Sequence, residues 1–308
     1  MAIIRGLRVG HASDGEARTG CTVLLGPFRG ASHTAGHATG SREMDPLSTL
    51  HVVPRIDALL LTGGSAFGLA AAEGVVGWLE ERGFGYQTGA ARVPIVPAAV
   101  IYDLAVGRAD RRPDAAMGRA ACDAASDEMP PEGAVGAGTG ATAGKVLGRD
   151  RAARGGLGCA VESRAGHSLF AIVVVNPVGD VLDGQGNVIA GARGPDGEFV
   201  RATDAVRSPD QLSFASPSPP TPGTNTVLAA IVTDAPLPRE SLAIVARMAT
   251  AALARRISPA HTPYDGDIIF ALSTTEEAAP AQALDVMAWG VLACAALERA
   301  IERGVTVG

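Results

Sequence analysis

The residues of this 308-residue chain best suited to chemistry are Thr226, Asn225 before it, Lys145, Asn176 and the carboxylates Asp265 and Asp267. Thr226 stands at an abrupt change of composition. The segment Ser216-Pro217-Ser218-Pro219-Pro220-Thr221-Pro222-Gly223 suits neither helix nor central strand, whereas Val227-Leu228-Ala229-Ala230-Ile231-Val232 is apolar and β-prone. A hydroxyl at the mouth of a buried strand, behind an exposed loop, is both rigidly held and reachable. Such a threonine can attack the carbonyl of Asn225, converting the peptide to an ester that water opens, so that Thr226 becomes a new N-terminus. Its freed α-amine, with an ordinary pKa of about 7.7–8.0, then acts as base for its own hydroxyl. An ordinary loop-to-strand junction would carry the same composition.

Lys145 is the only lysine in a chain otherwise served by arginine, and Asn176, Asn187 and Asn225 are its only asparagines. Lysine is a compact charge whose pKa moves on burial, so a position that keeps it is a candidate for chemistry arginine cannot do. Lys145 closes the glycine-dense run Gly133–Gly144. A phosphate-binding frame fails there, because Thr139 occupies its first glycine position and Val146 follows the lysine. Bare backbone amides around Gly138 and Thr139 suit a substrate carbonyl or oxyanion instead. Asn176 ends the apolar strand Ala171–Asn176 and either donates to an oxyanion or starts the turn at Pro177. Asp265 and Asp267 are two apart, so in an extended chain both face one side. There they could hold the threonine hydroxyl and amine in register and titrate as a coupled pair, or simply form a turn. Tyr102 ends the proline-interrupted run Val93–Tyr102, lining a site or standing as a half-buried ring.

Two other constellations read as structural. Ser65 invites a nucleophile-elbow reading, but Phe67 occupies the second glycine position, and an N-cap role before a helix fits better. His33 and His37 have helical metal-pair spacing, yet their flanking glycines argue against a helix. No metal or cofactor is implied.

The elements that must position these groups are short strands in residues 1–56, a buried strand Asp57–Thr62 and a helix over 66–82. Helices follow over 114–126, 239–257 (with Asp234 helping to cap it) and 281–303, the last stopped by Gly304; a strand covers Ile268–Leu272. Apolar residues make up 47% of the chain, enough for one large domain or two small ones, and 39 glycines point to tight turns. A net charge of −6 without any basic run argues against nucleic acid. Cys21, Cys122, Cys159 and Cys294 lack metal or redox spacing and read as buried thiols. No leader pattern and no uninterrupted 18-residue apolar run is present, so a soluble, cytoplasmic protein without membrane contact is expected.

Taken together, the sequence resembles the P1 peptidases: L-aminopeptidase/D-esterases, β-aminopeptidases and nylon-oligomer hydrolases. The likeness runs end to end through Val9-Gly10-His11, Arg18-Thr19-Gly20-Cys21-Thr22-Val23, Leu61-Thr62-Gly63-Gly64-Ser65-Ala66-Phe67-Gly68, Gly136-Ala137-Gly138-Thr139-Gly140-Ala141, Val175-Asn176, Asn225-Thr226 and Thr233-Asp234-Ala235-Pro236-Leu237. The resemblance implies an α/β fold, an N-terminal-nucleophile αββα sandwich with two mainly antiparallel sheets between helical layers. It implies one domain over 1–308, processed into an α chain 1–225 and a β chain 226–308. Thr226 then matches the nucleophile, Asn225 the residue before the cut and Asn176 the oxyanion-side amide. Lys145 and Tyr102 match polar residues of the site. Asp265-Gly266-Asp267, where other members carry Ser-x-Glu, looks like the nylon-oligomer hydrolase branch. The expected activity is amide hydrolysis on a small amide or short peptide, in a tetramer of αβ units. The rivals are a serine hydrolase using Ser65 and an uncleaved binding protein.

Overall fold

The computed structural model describes residues 3–208 and 223–307. Segment 216–222, the stiff loop expected before the nucleophile, lies outside the described residues. Nine strands are hydrogen-bonded together and fold into two layers, eight along one path and the first strand of the chain pairing with the second beside it. In chain order they are β1 (Arg8–Asp14), β2 (Thr19–Thr34), β3 (Ser41–Arg42), β4 (Ile56–Thr62), β5 (Ala98–Val100), β6 (Gly156–Arg164), β7 (His167–Asn176), β8 (Thr226–Thr233) and β9 (Ile268–Ser273). Four helices cover them: α1 (Ala71–Glu80), α2 (Ala115–Asp123), α3 (Arg239–Arg256) and α4 (Ala283–Thr306).

The long strand β2 joins the layers. Its first half pairs with β1 and β4, its second half, from Arg29 on, with β9, and the register shifts between Leu25 and Phe28. One sheet therefore holds β1, β2, β4, β5 and β3, and the other runs β6-β7-β8-β9-β2. Alternation along the strands sorts side chains into three layers. Phe170, Ile172, Val174, Leu228, Ala230 and Val232 meet Leu24, Leu59 and Leu61 between the sheets. Ala171, Val173, Val175, Ala229 and Ile231 face Leu242, Val245, Trp289 and Leu297 of α3 and α4. Val23, Leu60 and Ala58 face Val75, Trp78 and Cys122 of α1 and α2. Burying each Leu, Ile or Phe of these layers contributes about 1.5–3 kcal/mol. The expected αββα sandwich is what forms.

The strand β8 is central. It pairs antiparallel with β7 and parallel with β9, and α3 makes the crossover between them. Both faces of β8 are covered, which is why its sequence is continuously apolar rather than alternating.

Several local expectations are corrected. Gly304 does not stop the last helix, which runs on to Thr306; it lets α4 lie against β6. A Cβ on the facing Gly158 would stand 2.0 Å from the Ala300 carbonyl and 2.5 Å from the Gly304 nitrogen. Asp234 does not cap α3; its carboxylate accepts from the Ser168 N–H at 2.7 Å, and Pro238 is the capping residue. The stretch after Ser65 begins as a 3-10 helix, Ser65–Ala70, before α1, and Ser65 makes no side-chain cap because Gly64 holds that place. The four cysteines are buried free thiols, as expected, with burial pushing Cys21 and Cys122 up to about 12. Among the described residues, no helix is long and apolar enough to cross a membrane.

Candidate active site

Thr226 is the first residue of β8, and its register partner on β7 is Asn176, the last residue of that strand. Directly opposed residues of an antiparallel pair share a face. Here it is the face turned between the two sheets, continuing the row of Leu228 and Val174. The threonine and the amide thus stand together at one mouth of the sandwich. Both are buried.

The Thr226 hydroxyl lies against the peptide bond before it, with Oγ1 2.5 Å from the Asn225 carbonyl oxygen, to which it donates. The same carbonyl oxygen accepts the Gly266 N–H at 2.9 Å. A bridge between Asn225 and Asp265 aligns the two segments. The Asn225 side chain is fully buried and donates to the Tyr264 carbonyl at 3.3 Å, while its Oδ1 has no partner among the described residues.

Lys145 fixes the orientation of Asn176. Its Nζ donates to Asn176 Oδ1 at 2.7 Å and to the Asn176 carbonyl at 3.0 Å, and the Thr142 N–H adds a third hydrogen bond, to Oδ1, at 3.1 Å. With donors converging on the oxygen, the amide must turn its NH2 the other way. There it meets only the Tyr102 carbonyl, at 3.5 Å. Burial pushes the Lys145 amine well below the usual lysine range, with Asp265 opposing and Arg149 adding to the shift.

In the uncut chain, which has no free Thr226 amine, neither carboxylate bonds the Thr226 hydroxyl. Both fasten the backbone on either side. Asp267 Oδ1 accepts the Val227 N–H at 2.9 Å, and Asp265 Oδ1 accepts the Val178 N–H at 3.1 Å. Asp265 Oδ2 takes Thr262 Oγ1 at 2.5 Å, and Asp267 Oδ2 pairs with His261 Nδ1 at 3.0 Å. Burial raises Asp265, and the neighbouring Asp267 raises it further. The Asp267 hydrogen bond holds His261 above its ordinary value.

In front of Thr226 lies a cavity of ≈ 180 Å³ whose walls include Thr39, Gly40, Ser65, Ala66, Val100 and Tyr102. The Arg149 guanidinium lies 4.8 Å from the Tyr102 ring centroid. A larger hollow of ≈ 770 Å³ between α3 and α4 holds none of the candidate residues.

Thr226, Asn225, Asn176, Lys145, Asp265, Asp267 and Tyr102 therefore gather at one site. Gly138 and Thr139 are not part of the cavity wall. Thr139 turns its hydroxyl back to the Gly136 carbonyl at 2.7 Å, and a Cβ on Gly138 would stand 2.5 Å from the Leu157 nitrogen, so this stretch packs onto β6. Sequence reading missed Thr142, His261 and the Gly266 amide. Two of these act through backbone N–H groups, which leave no trace in residue type, and His261 lay outside any motif.

A model of peptidase family S58 matches residues 2–307. An uncharacterized aminopeptidase of Mycobacterium leprae is 41% identical over 290 residues, covering 88% of this chain and 77% of the relative. A 6-aminohexanoate-oligomer endohydrolase of Kocuria sp. is 36% identical over 277 residues, covering 88% and 74%. Among solved structures, a Burkholderia sp. β-aminopeptidase superposes with a TM-score of 0.72 at 22% identity, over 98% of this chain and 85% of that one. The L-aminopeptidase D-Ala-esterase/amidase of Ochrobactrum anthropi, described as a variant of the Ntn hydrolase fold, gives 0.73 at 20% identity over the same shares.

Proposed function

Because the chain belongs to peptidase family S58, an amide-bond hydrolase, we propose that it cuts itself between Asn225 and Thr226 and then hydrolyses amides with Thr226 as nucleophile. The observation that carries this reading is the position of Thr226 Oγ1 beside a carbonyl whose oxygen is already held by the Gly266 N–H. In the self-cleavage, Oγ adds to the Asn225 carbonyl carbon, the C–N bond breaks, and the hydroxyl proton ends on the Thr226 nitrogen. The resulting ester is hydrolysed by water to the Asn225 carboxylate and a free Thr226 amine.

In catalysis that amine takes the hydroxyl proton as Oγ attacks a substrate amide. The Asn176 NH2, oriented by Lys145 and Thr142, stabilises the oxyanion. The amine then returns the proton to the leaving nitrogen, and water opens the acyl-enzyme. Asp267 and Asp265 keep the strand mouth in register, and Tyr102 lines the substrate space. Asp265-Gly266-Asp267 resembles the nylon-oligomer hydrolase branch, and a 6-aminohexanoate-oligomer endohydrolase is 36% identical, so the reading extends to linear oligoamides. Assembly of αβ units and a cytoplasmic location belong to the same proposal; the assembly is supported by Ile244, Met287 and Val291, apolar and exposed on α3 and α4.

The experiment is an intact-mass spectrum of freshly purified protein beside Thr226→Ala. Two fragments ending at Asn225 and starting at Thr226, with the variant whole and inactive, are expected. A single 31.1 kDa species through long incubation sinks self-processing and brings forward an uncleaved binding protein.

A further inference from the structure

Ser65 stays outside the mechanism above, yet its surroundings are built with care. It holds φ +53, in the left-handed region that non-glycine residues adopt uncommonly and at some cost. Those surroundings come from three directions. The Ser65 N–H donates to the Ile101 carbonyl at 2.9 Å. The preceding Gly64, at φ +78, donates its N–H to Asp103 Oδ1 at 2.7 Å. The other oxygen of the buried Asp103 accepts from Thr19 Oγ1, also at 2.7 Å, tying the turn to β2. A Cβ on Gly63 would stand 2.0 Å from that carboxylate, so the turn closes onto it only with glycine there.

This fixed turn presents a serine whose hydroxyl caps no helix and takes no hydrogen-bond partner among the described residues. The residue lines the cavity that also contains Thr226. A polar group held in a strained conformation, unpaired, in the wall of a reaction space is a group left for a ligand. The rest of the described wall, with Thr39, Gly40, Ala66, Val100 and Tyr102, carries no charged side chain. It suits a neutral polar group rather than an ammonium, whose desolvation there would go uncompensated and which Arg149, stacked on Tyr102, would repel.

We propose that Ser65 is a substrate-positioning residue whose hydroxyl hydrogen-bonds an uncharged amide group of the substrate next to the bond that Thr226 attacks. This rests on the Thr226 reading and adds to it a preference for substrates carrying a neutral amide, rather than a free amine, in that space. Ser65 forms no covalent bond in this scheme.

The test uses full-length protein, Ser65→Ala and Ser65→Gly, each first checked by intact mass for the Asn225–Thr226 cut. Two probes are compared: an N-acetylated linear 6-aminohexanoate oligomer and β-alanine p-nitroanilide, which carries a free amine. Losing one hydrogen bond to a neutral group should lower kcat/KM on the acetylated oligomer about tenfold, chiefly through KM. The p-nitroanilide should change less. Glycine adopts φ +53 without strain, so Ser65→Gly should unfold no earlier than the unsubstituted protein, separating lost recognition from a lost fold. Wild-type kcat/KM in both variants overturns the proposal, as does an equal loss on the two probes. Ser65→Ala inactive while Thr226→Ala still turns over would make Ser65 the nucleophile and overturn both readings. An unsubstituted protein that is cut and Thr226-dependent, beside unaffected Ser65 variants, removes only the role of Ser65.

Discussion

The Gly266 N–H donates to the carbonyl of Asn225 at 2.9 Å, so the bond proposed for self-cleavage is polarised by a backbone group from the loop leading into β9. Such a donor acts in maturation and has no necessary part in later turnover, when the Asn225 carbonyl is a carboxylate. A Cβ on Gly266 would stand 2.5 Å from the Ala38 carbonyl and 2.9 Å from Thr226 Oγ1. Gly266→Ala should therefore slow the appearance of the two fragments by about 10²-fold, the scale of one lost oxyanion donor. A time course of intact mass reads this directly, and cleavage at the ordinary rate would remove Gly266 from the mechanism.

Asn176 should matter after the cut. Asn176→Ala in matured protein is expected to lower kcat by about 10²–10³-fold with little change in KM, because its NH2 is engaged mainly with the transition state. Lys145→Met keeps the length of the side chain but leaves Asn176 Oδ1 without its 2.7 Å donor. The amide is then free to flip, and kcat should fall in the same direction but less. Steady-state kinetics on both variants decide it: a rise in KM alone would make Asn176 a binding group.

The His261–Asp267 pair gives a pH dependence of known sign. Its folded-state pKa lies above the ordinary 6.5, chiefly through the hydrogen bond to Asp267, with burial opposing and Asp265 aiding. His33 also lies close by. The stability contributed by the charged His261 is fully present below about 6.5 and lost as the pH rises through the higher folded value. The Tm gap between the unsubstituted protein and His261→Gln should thus be widest in mild acid and narrow above neutrality. Parallel Tm–pH curves would show that the pair contributes nothing beyond packing.

The contact of α4 with β6 should be intolerant of even one methyl group. Gly158→Ala places a carbon 2.0 Å from the Ala300 carbonyl, and relief requires the helix to move off the sheet. An overpacking cost of about 1–3 kcal/mol is expected in urea unfolding, with the midpoint lowered and the slope unchanged. An unshifted midpoint would mean that α4 adjusts freely.

How far these features can be read from sequence differs by kind. The switch at Asn225-Thr226 is legible because loop and buried strand demand opposite compositions, and Lys145 is legible through the absence of every other lysine. The sandwich is legible only through the family resemblance; apolar runs such as Val227–Val232 mark buried strands but not how the sheets stack. Gly304 misleads because a glycine near a helix end reads as a stop, while its use is a close approach to Gly158 that only three dimensions reveal. Ser65 reads as a cap, yet Gly64 takes that place and the serine faces a cavity. The glycine-dense run around Gly138 and Thr139 looks like a bare-amide cradle, but its turns pack against β6. The Gly266 and Thr142 N–H groups are invisible in principle, since every residue but proline carries one.

The strand order β6-β7-β8-β9-β2 has one more consequence. A cut before Thr226 leaves β8 and β9 in one fragment, flanked on both sides by strands of the other. If the proposed cut occurs, the halves cannot part without stripping hydrogen bonds from two sheet edges, so the matured protein would persist as a single body. Once denatured, however, such a cut protein would no longer refold along the path that made it. What was a first-order search by one chain becomes an encounter between two, dependent on concentration, and the native state is then protected by the height of its unfolding barrier rather than by equilibrium.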